Sequence, residues 1–161
     1  RAFKGTIAGK KLCYVGDGNN MANSLIVGGS KMGMSVSVSC PKGYEPDAEL
    51  MKWAAENGIF TCTESVLEAA KDADVLYTDV WASMGQEEEK TEREKVFKNY
   101  QINDEVMSVA NENAMVLHCL PAHREEEITA KVFEEHANEI FDEAENRLHA
   151  QKAVLVKLMK D

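Results

Sequence analysis

Short apolar runs alternate with helix-like segments along the whole chain, and this alternation constrains the fold more than any other feature. Five runs have the length and content of buried strands, at 11–16, 35–40, 59–63, 74–78 and 114–118. A shorter run at 139–142 also predicts a strand. The run at 35–40 alternates Ser with Val or Cys, and its polar face predicts a sheet position less covered than the others.

Helix-like segments fill the intervals between these runs. They cover 21–31, 47–57, 65–71, 87–99, 103–110 and 129–136, and a final one begins at 146. Asp47, Ser65, Asn103 and Thr129 stand where a side-chain oxygen can cap a helix start. Right-handed crossovers place such helices on both faces of a parallel sheet. The sequence therefore predicts an α/β fold, a doubly wound, mainly parallel sheet flanked by helices in a Rossmann-like three-layer sandwich.

Three loops of this fold are the expected positions of ligand-binding side chains. In doubly wound sheets, ligands bind outside the carboxyl ends of the strands, near the point where the strand order reverses. If the order is 3-2-1-4-5, the loops at 17–20, 79–85 and 118–124 meet in one crevice. We therefore expect the functional residues in these three loops.

Composition limits the kinds of partner that the chain can bind. The net charge of −10 argues against a nucleic-acid surface, because phosphate binding needs clustered Lys and Arg. No apolar stretch approaches the roughly 20 residues of a membrane helix. The spacing of the four cysteines does not fit a metal site. The sequence predicts that they are buried free thiols, as in a protein of a reducing compartment. They are Cys13, Cys40, Cys62 and Cys119. We therefore expect a cytoplasmic protein with no membrane, nucleic-acid or metal partner.

The first loop begins like a dinucleotide-binding fingerprint but does not complete it. Gly16-Asp17-Gly18 supplies two glycines, while Met21 stands where a third is needed for close packing. The second strand ends in Cys40-Pro41, with no acid placed to hold a ribose. The sequence therefore predicts no cofactor. Asn19 and Asn20 are expected to form a turn that caps the next helix, a position that also suits a bound carboxylate.

The other two loops carry side chains that each have two interpretations. Asp79 can hold an amino group or cap a helix, and the turn at 83–85 can offer N–H donors or act as a connector. His118 and Cys119 suggest a nucleophile pair, but neighbours on a strand point to opposite faces. The thiol and imidazole spacing does not fit zinc. We expect His136 and His149 to be solvated helix residues.

Four stretches of the sequence form a specific set. They are Gly16-Asp17-Gly18-Asn19-Asn20, Asp79-Val80-Trp81-Ala82-Ser83-Met84-Gly85-Gln86-Glu87, His118-Cys119-Leu120-Pro121-Ala122-His123-Arg124 and Ala144-Glu145-Asn146-Arg147. In this order they resemble the ornithine carbamoyltransferase family, and the resemblance covers essentially the whole chain. The loop with Ser83-Met84-Gly85 is the most specific part, whereas Glu125 departs from the glycine more often expected there.

The resemblance implies that this domain binds L-ornithine, whose δ-amine receives a carbamoyl group from carbamoyl phosphate to give citrulline and phosphate. Asp79 would hold the α-ammonium group of ornithine. Asn20 and the turn formed by Ser83 and Met84 would hold its carboxylate. The amine must lose its proton before it attacks, since its pKa is roughly 10.

The resemblance also assigns residues to the other substrate. Cys119 and Leu120 would face the carbamoyl group and the δ-amine, and Arg147 would reach carbamoyl phosphate. Cys119, Asp79 and Arg147 are thus the candidate catalytic residues. Catalysis would come from positioning two substrates and stabilising charge, without a covalent intermediate.

A second half of the protein is implied as well. The family's enzymes have an amino-terminal carbamoyl-phosphate-binding domain with a Ser-x-Arg-Thr motif, and that string does not occur here. The chain starts at Arg1 without Met, as a domain separated from a longer protein does. We expect residues 1–161 to form a single ornithine-binding domain, inactive alone, whose full-length relatives are homotrimers. The apolar end of the final helix predicts an exposed patch or self-association.

Two alternatives stay open at this point. The chain can belong to a carbamoyltransferase for another amine, such as putrescine or an acetylated ornithine, or it can be a non-catalytic folded module. Aspartate is a weaker candidate, because its enzymes resemble His-Pro-Leu-Pro where this chain has His118-Cys119-Leu120-Pro121. Titration with ornithine and putrescine distinguishes these alternatives.

Overall fold

The computed structural model describes residues 5–82 and 89–160, which form a sheet with helices on both faces. The strands in these ranges are β1 (Lys11–Val15), β2 (Ser35–Ser39), β3 (Ile59–Thr63), β4 (Val75–Thr78) and β5 (Met115–His118). The helices are α1 (Asn20–Lys31), α2 (Ala48–Asn57), α3 (Val66–Ala70), α4 (Lys90–Phe97), α5 (Asp104–Val109), α6 (Ala130–Glu135) and α7 (Ala137–Met159).

The sheet is parallel throughout, in the order β3-β2-β1-β4-β5. This is the order in which the three candidate loops are expected to meet, and it confirms the doubly wound class. Val15 pairs with Ser39 and Thr78, and Thr78 pairs with His118, so these strands end at the same level. The loops that follow β1, β4 and β5 therefore leave the sheet at one edge, on either side of the point where the order reverses.

Two apolar layers cover the two faces of the sheet. Side chains alternate along β1, so Tyr14 belongs to the buried cluster that contains Ile26 of α1 on one face, while Cys13 belongs to the cluster that contains Val132 of α6 on the other. The first layer joins α1 and α2 to the sheet, and the second joins α3, α4, α5 and α6. This is the three-layer arrangement that the alternation of strands and helices predicts.

Helix starts follow the predicted caps. The side chains of Asp47, Ser65, Asn103 and Thr129 accept hydrogen bonds from backbone N–H groups in the first turns of α2, α3, α5 and α6. Asn19 caps α1 in the same way through Met21 N. These bonds satisfy donors that helix geometry leaves unpaired, and they are local enough to be predicted from sequence.

The strand predicted at 139–142 is wrong, because these residues lie inside α7. The helix begins at Ala137, and the final helix is therefore longer than the one predicted from 146. Ile140 is fully buried in the core, while Glu139 accepts a hydrogen bond from Val116 N at 3.0 Å. Short apolar runs do not distinguish a strand from a buried helix turn, and packing on β5 decides the outcome here.

The prediction that β2 is less covered than its neighbours is also wrong. Its polar residues Ser37 and Ser39 are buried. The Ser37 hydroxyl donates to the Ala69 carbonyl at 2.8 Å, so a small helix residue and a hydrogen bond accommodate the polar face. The exposed strand is β3 at the edge of the sheet, where Ile59 is 73% exposed.

The carboxyl-terminal half of α7 extends away from the core with its apolar side chains in solvent. Leu158 is 77% exposed and Met159 is 80% exposed, and the other large apolar side chains there are more than half exposed: Leu148, Val154, Leu155 and Val156. The predicted apolar patch is therefore confirmed, and the carboxyl-terminal half of α7 is not buried in the domain's own core. Within the described ranges, no helix is long and apolar enough to cross a membrane.

Candidate functional site

A cavity of about 1060 Å³ lies at the carboxyl ends of the strands. Side chains from three loops and from α7 line it, among them Asn20, Asp79, Cys119, Leu120 and Arg147. Five of the candidate residues thus meet at one place, although they are spread over most of the chain. The other two candidates, Ser83 and Met84, lie outside the described residues.

The first loop presents Asn20 to the cavity. Asn19 caps α1, which leaves Asn20 as the first residue of the helix with an exposed side chain. Gly18 sits directly against the loop at 44–46, and its N–H donates to the Tyr44 carbonyl at 2.8 Å. The glycine that resembled a nucleotide fingerprint therefore serves a different purpose, which is close contact between two loops.

Replacing Gly18 with Ala is expected to destabilise the protein by about 1–3 kcal/mol. A Cβ atom there would lie 2.3 Å from Pro46 N and 2.4 Å from the Glu45 carbonyl carbon, and backbone atoms cannot move aside cheaply. Urea unfolding measures the change in free energy of unfolding.

Gly28→Ala is the matched control for Gly18→Ala. A Cβ at Gly28 meets no atom within 4 Å, and the residue lies inside α1. Alanine is expected to stabilise the protein there by about 0.5–1 kcal/mol, because glycine loses more conformational freedom in a helix. Equal effects of the two substitutions would contradict the loop-contact explanation.

The second loop places the Asp79 carboxylate inside the cavity. Asp79 follows β4 and is buried, and its Oδ1 atom accepts from Val80 N at 2.8 Å. The same oxygen accepts from the Cys119 thiol, with Sγ at 3.0 Å. The neighbouring Tyr14 hydroxyl is buried and has no hydrogen-bond partner among the described residues. Asp79 is thus a buried anion within reach of the cavity, a suitable partner for a cationic group.

Cys119 is held as a protonated thiol. Burial raises the pKa of Cys119 far above its usual range, and the hydrogen bond to Asp79 raises it further. A ring nitrogen of His118, the Sγ atom of Cys119 and a carboxylate oxygen of Asp79 lie within 4.8 Å of one another. They are closer than the alternation of side chains along a strand predicts. The strand ends at His118, so the pleat does not fix the direction of Cys119. A thiol with this environment is a hydrogen-bond donor and a poor nucleophile.

His118 has both ring nitrogens occupied. Nδ1 accepts from Leu120 N at 2.9 Å, so Nε2 carries the proton and donates to Glu127 Oε1 at 2.9 Å. Glu127 Oε1 also accepts from His123 N at 2.6 Å. His118 and Glu127 are fully buried. This pair holds the 118–123 loop in position, and it leaves His118 no free nitrogen for Cys119 or for a metal ion.

Leu120 has a left-handed backbone conformation, with φ at 56°. Such a conformation is unfavourable for a side chain with a Cβ and persists where surrounding contacts impose it. The hydrogen bond from its N–H to His118 is one of these contacts. The turn brings Leu120 to the cavity beside Cys119.

Helix α7 supplies the outer wall of the cavity. Glu143 accepts hydrogen bonds from the Tyr77 hydroxyl and from His118 N, the latter at 3.0 Å. Burial is the largest cause that raises the pKa of both Glu143 and Tyr77. Arg147, one turn further along the helix, lines the rim with an exposed side chain. The cavity thus has the buried Asp79 and the half-buried Glu143 inside and a guanidinium at its edge.

Arg93 lines the cavity and joins two of its loops, those that contain Asp17 and Trp81. Its Nη1 atom donates to Asp17 Oδ2 at 2.7 Å and to the Trp81 carbonyl at 3.0 Å. Its Nε atom donates to Glu89 at 3.1 Å, and its guanidinium lies over the Tyr44 ring. Sequence reasoning did not single out Arg93, Glu127 or Glu143, because their partners are distant in the chain or buried.

The remaining histidine predictions concern α7 and its start. His149 is exposed, with Nε2 3.4 Å from Glu145, as predicted for a solvated helix residue. His136 is only partly exposed and lies before the first residue of α7, with Nδ1 2.8 Å from Glu139. All four cysteines are free thiols, but Cys62 is exposed and Cys119 is half-buried, which corrects the prediction that each is buried.

The fold and the cavity together define a class: a doubly wound α/β domain with a cavity at the carboxyl edge of its sheet, where domains of this class bind small molecules. Comparison with known families makes the assignment specific. The sequence matches the family described as aspartate/ornithine carbamoyltransferase, Asp/Orn binding domain, over residues 8–158. The chain belongs to this family.

Named relatives agree with the assignment. The ornithine carbamoyltransferase of Pyrococcus abyssi is 53% identical over 161 residues, covering 97% of this chain and 51% of that protein. That of Geobacter sulfurreducens is 51% identical over 160 residues, covering 98% of this chain and 53% of that protein. The chain therefore spans about half the length of the curated relatives it matches.

Solved structures show the same fold. The Pyrococcus furiosus ornithine carbamoyltransferase superposes with a TM-score of 0.87 at 53% identity, covering 96% of this chain and 51% of that chain. The anabolic enzyme of Campylobacter jejuni gives 0.91 at 39% identity, covering 98% of this chain and 54% of that chain. The Rossmann-like α/β class predicted from the sequence is thus confirmed.

Proposed function

We propose that this chain is the ornithine-binding half of an ornithine carbamoyltransferase, which forms L-citrulline and phosphate from L-ornithine and carbamoyl phosphate. The supporting observation is that Asn20, Asp79, Cys119, Leu120 and Arg147 line one cavity. The names of the relatives support the choice of ornithine. No observation favours putrescine, an acetylated ornithine or a non-catalytic module.

The charges around the cavity suit an amino acid with a cationic end. The buried Asp79 carboxylate is the proposed partner of the α-ammonium group, since a charged hydrogen bond in a low-dielectric site is strong. Asn20 is the proposed partner of the α-carboxylate, helped by the positive end of the α1 dipole. Ser83 and Met84 are proposed to complete the carboxylate site.

The protonated thiol suits a positioning role in the transfer step. Cys119 donates to Asp79 in the free protein and is proposed, with Leu120, to face the carbamoyl group and the δ-amine. Arg147 at the rim is the proposed contact to the phosphate end of carbamoyl phosphate. Catalysis then depends on alignment and on charge stabilisation of the tetrahedral intermediate.

The rest of the carbamoyl-phosphate site is proposed to lie in a second half of the protein. Supporting this are the exposed apolar end of α7 and a groove of about 710 Å³ between α1 and α7, lined by apolar side chains such as Leu25, Met34 and Leu117. Surfaces of this kind mark contacts with other protein. We propose that residues 1–161 are inactive without that half. We also propose a cytoplasmic location, since free thiols are typical of a reducing compartment. For the complete protein we propose a homotrimer, as the family resemblance implies.

Calorimetric titration with L-ornithine and putrescine, with and without carbamoyl phosphate, tests the proposal. Asp79→Asn is expected to weaken ornithine binding about 10- to 100-fold, because it removes the charge that pairs with the α-ammonium group. Asp104→Asn is the control, since Asp104 is exposed and pairs with Lys131 away from the cavity. Tighter binding of putrescine than ornithine, or no effect at Asp79, would overturn the proposal.

A further inference from the structure

Cys40 and Cys62 lie side by side at the carboxyl end of β2 and β3. Their Sγ atoms are 3.7 Å apart. The register pairs Val38 with Cys62, so Cys40, two residues beyond Val38, is on the same face of the sheet as Cys62. Cys62 is exposed on the edge strand, whereas Cys40 is buried. Neither residue lines the cavity described above.

We propose that Cys40 and Cys62 form a redox-active dithiol that closes reversibly to a disulfide. A disulfide bond is about 2.0 Å long, so the two sulfur atoms must approach by roughly 1.7 Å. The register sets Cys40 two residues beyond the partner of Cys62, roughly 8 Å away between Cα atoms from the spacing of parallel strands. Closure therefore also needs a shift of the backbone. Cys40 lies just beyond the last residue of β2, and β3 is the edge strand, so this shift concerns the end and the edge of the sheet. A disulfide with one exposed sulfur, that of Cys62, is more easily reduced again than a fully buried structural disulfide.

The two thiols are unequal, which assigns each a step. The hydrogen bond between the two thiols lowers the pKa of Cys62, against opposing contributions from burial and from Glu45. The same hydrogen bond, followed by burial, raises the pKa of Cys40. Burial raises the pKa of Cys13 to about 12 and that of Cys119 beyond its usual range. Cys62 is exposed and Cys40 is buried, so Cys62 is the thiol that an external disulfide reaches first, and Cys40 is the thiol that resolves the adduct. The lowered pKa of Cys62 agrees with this order.

The oxidant is a small-molecule disulfide such as oxidised glutathione. The Cys62 thiolate attacks one sulfur of that disulfide, its S–S bond breaks, and one glutathione leaves as a thiolate that takes up a proton. Cys40 then loses its proton and attacks Cys62 Sγ in the mixed disulfide, which releases the second glutathione. The two protein thiols lose two electrons in total, and one glutathione disulfide becomes two glutathione thiols.

Equilibration of the purified, reduced protein with mixtures of reduced and oxidised glutathione tests this proposal. After acid quenching, alkylation with N-ethylmaleimide and mass spectrometry are expected to show a species lighter by two hydrogens, with a linked Cys40–Cys62 peptide. Cys13 and Cys119 are expected to be alkylated, because they lack a partner thiol within reach. Full alkylation of both Cys40 and Cys62 even in the most oxidising mixture would overturn the proposal.

Single substitutions separate the two roles and guard against misfolding. Cys40→Ala is expected to trap a stable glutathione adduct on Cys62 and to slow Cys62 alkylation several-fold at neutral pH, because the hydrogen bond that lowers its pKa is lost. Cys62→Ala is expected to leave Cys40 unmodified. Unchanged circular dichroism and an unchanged alkylation rate of Cys119 show that each variant is folded. An unchanged Cys62 rate in folded Cys40→Ala would refute the assignment of Cys62 as the activated thiol.

Discussion

Replacing Arg93 with Met is expected to destabilise the protein by about 3–5 kcal/mol at neutral pH. The guanidinium and the Asp17 carboxylate form a buried ion pair with 2.7 Å between Nη1 and Oδ2. Methionine occupies a similar volume but leaves the Asp17 charge in a low-dielectric interior without a partner. The Trp81 carbonyl also loses its donor at 3.0 Å. Urea unfolding at several pH values measures the loss.

The loss is expected to depend on pH in a defined direction. Burial raises the pKa of Asp17 in the folded protein, and the Arg93 hydrogen bond and charge counteract that rise. A carboxylate with a raised pKa binds its proton more tightly when folded, so it reduces stability as the pH rises through its folded pKa. Without Arg93 the pKa of Asp17 rises further. The difference between wild type and variant should therefore be smallest in acid and grow toward neutral pH.

Arg124→Met is the control for charge removal at a surface site. Arg124 pairs with Glu134 at 2.6 Å with both side chains largely exposed, and it lies over the Phe133 ring. Its loss is expected to cost at most about 1 kcal/mol. Equal costs for the two arginine substitutions, or a pH trend of the opposite sign for Arg93→Met, would contradict the buried-pair explanation.

Local signals explain why most of the fold was predictable from sequence. Buried parallel strands are apolar on both faces and therefore appear as short apolar runs in the sequence. Side-chain caps act within three residues of a helix start, so they can also be recognised in a short stretch of sequence. The loops of Asn20, Asp79 and Cys119 are expected at one edge if the strand order is 3-2-1-4-5, and the sheet has this order. Their common cavity follows from that order and from strand ends that lie level.

The errors arose where tertiary packing overrides a local pattern. Ile140 and Phe141 form an apolar pair in either a strand or a helix, and only the contact of α7 with β5 selects the helix. The serines of β2 look solvent-facing in sequence, yet Ser37 finds a buried acceptor in Ala69, which is 32 residues away. Such partners cannot be identified within a short window.

The supporting residues of the site were missed for the same reason. Asp17 and Arg93 are 76 residues apart, and Tyr77 and Glu143 are 66 residues apart. Arg93 and Glu143 stand in charged helical segments whose composition suggests solvent exposure. Resemblance to a family suggests which residues contact substrates. The hydrogen bonds that hold the surrounding loops, such as those of Arg93 and Glu143, can be identified only in the folded chain.

Replacing Glu127 with Ala is expected to destabilise the protein by about 2–5 kcal/mol, because two donors lose their acceptor at once. Glu127 Oε1 accepts from His118 Nε2 at 2.9 Å and from His123 N at 2.6 Å. The His118 imidazole would also become free to turn, and with it the Nδ1 contact to Leu120 N. Urea unfolding measures the stability change, and calorimetry is expected to show weaker ornithine binding because the loop with Cys119 and Leu120 is less fixed.

Two further variants test whether the buried acceptor is the cause. Glu127→Gln keeps one carbonyl oxygen where Oε1 accepts both hydrogen bonds, so it is expected to lose less stability than Glu127→Ala. Glu126→Ala removes a neighbouring carboxylate whose contacts to Lys90 and His123 are 3.5 and 3.4 Å and partly exposed, and it is expected to cost less than about 1 kcal/mol. If Glu127→Ala is as stable as Glu126→Ala, the pair of His118 and Glu127 does not hold the loop. If Gln is no better than Ala, the acceptor oxygen is not what stabilises it.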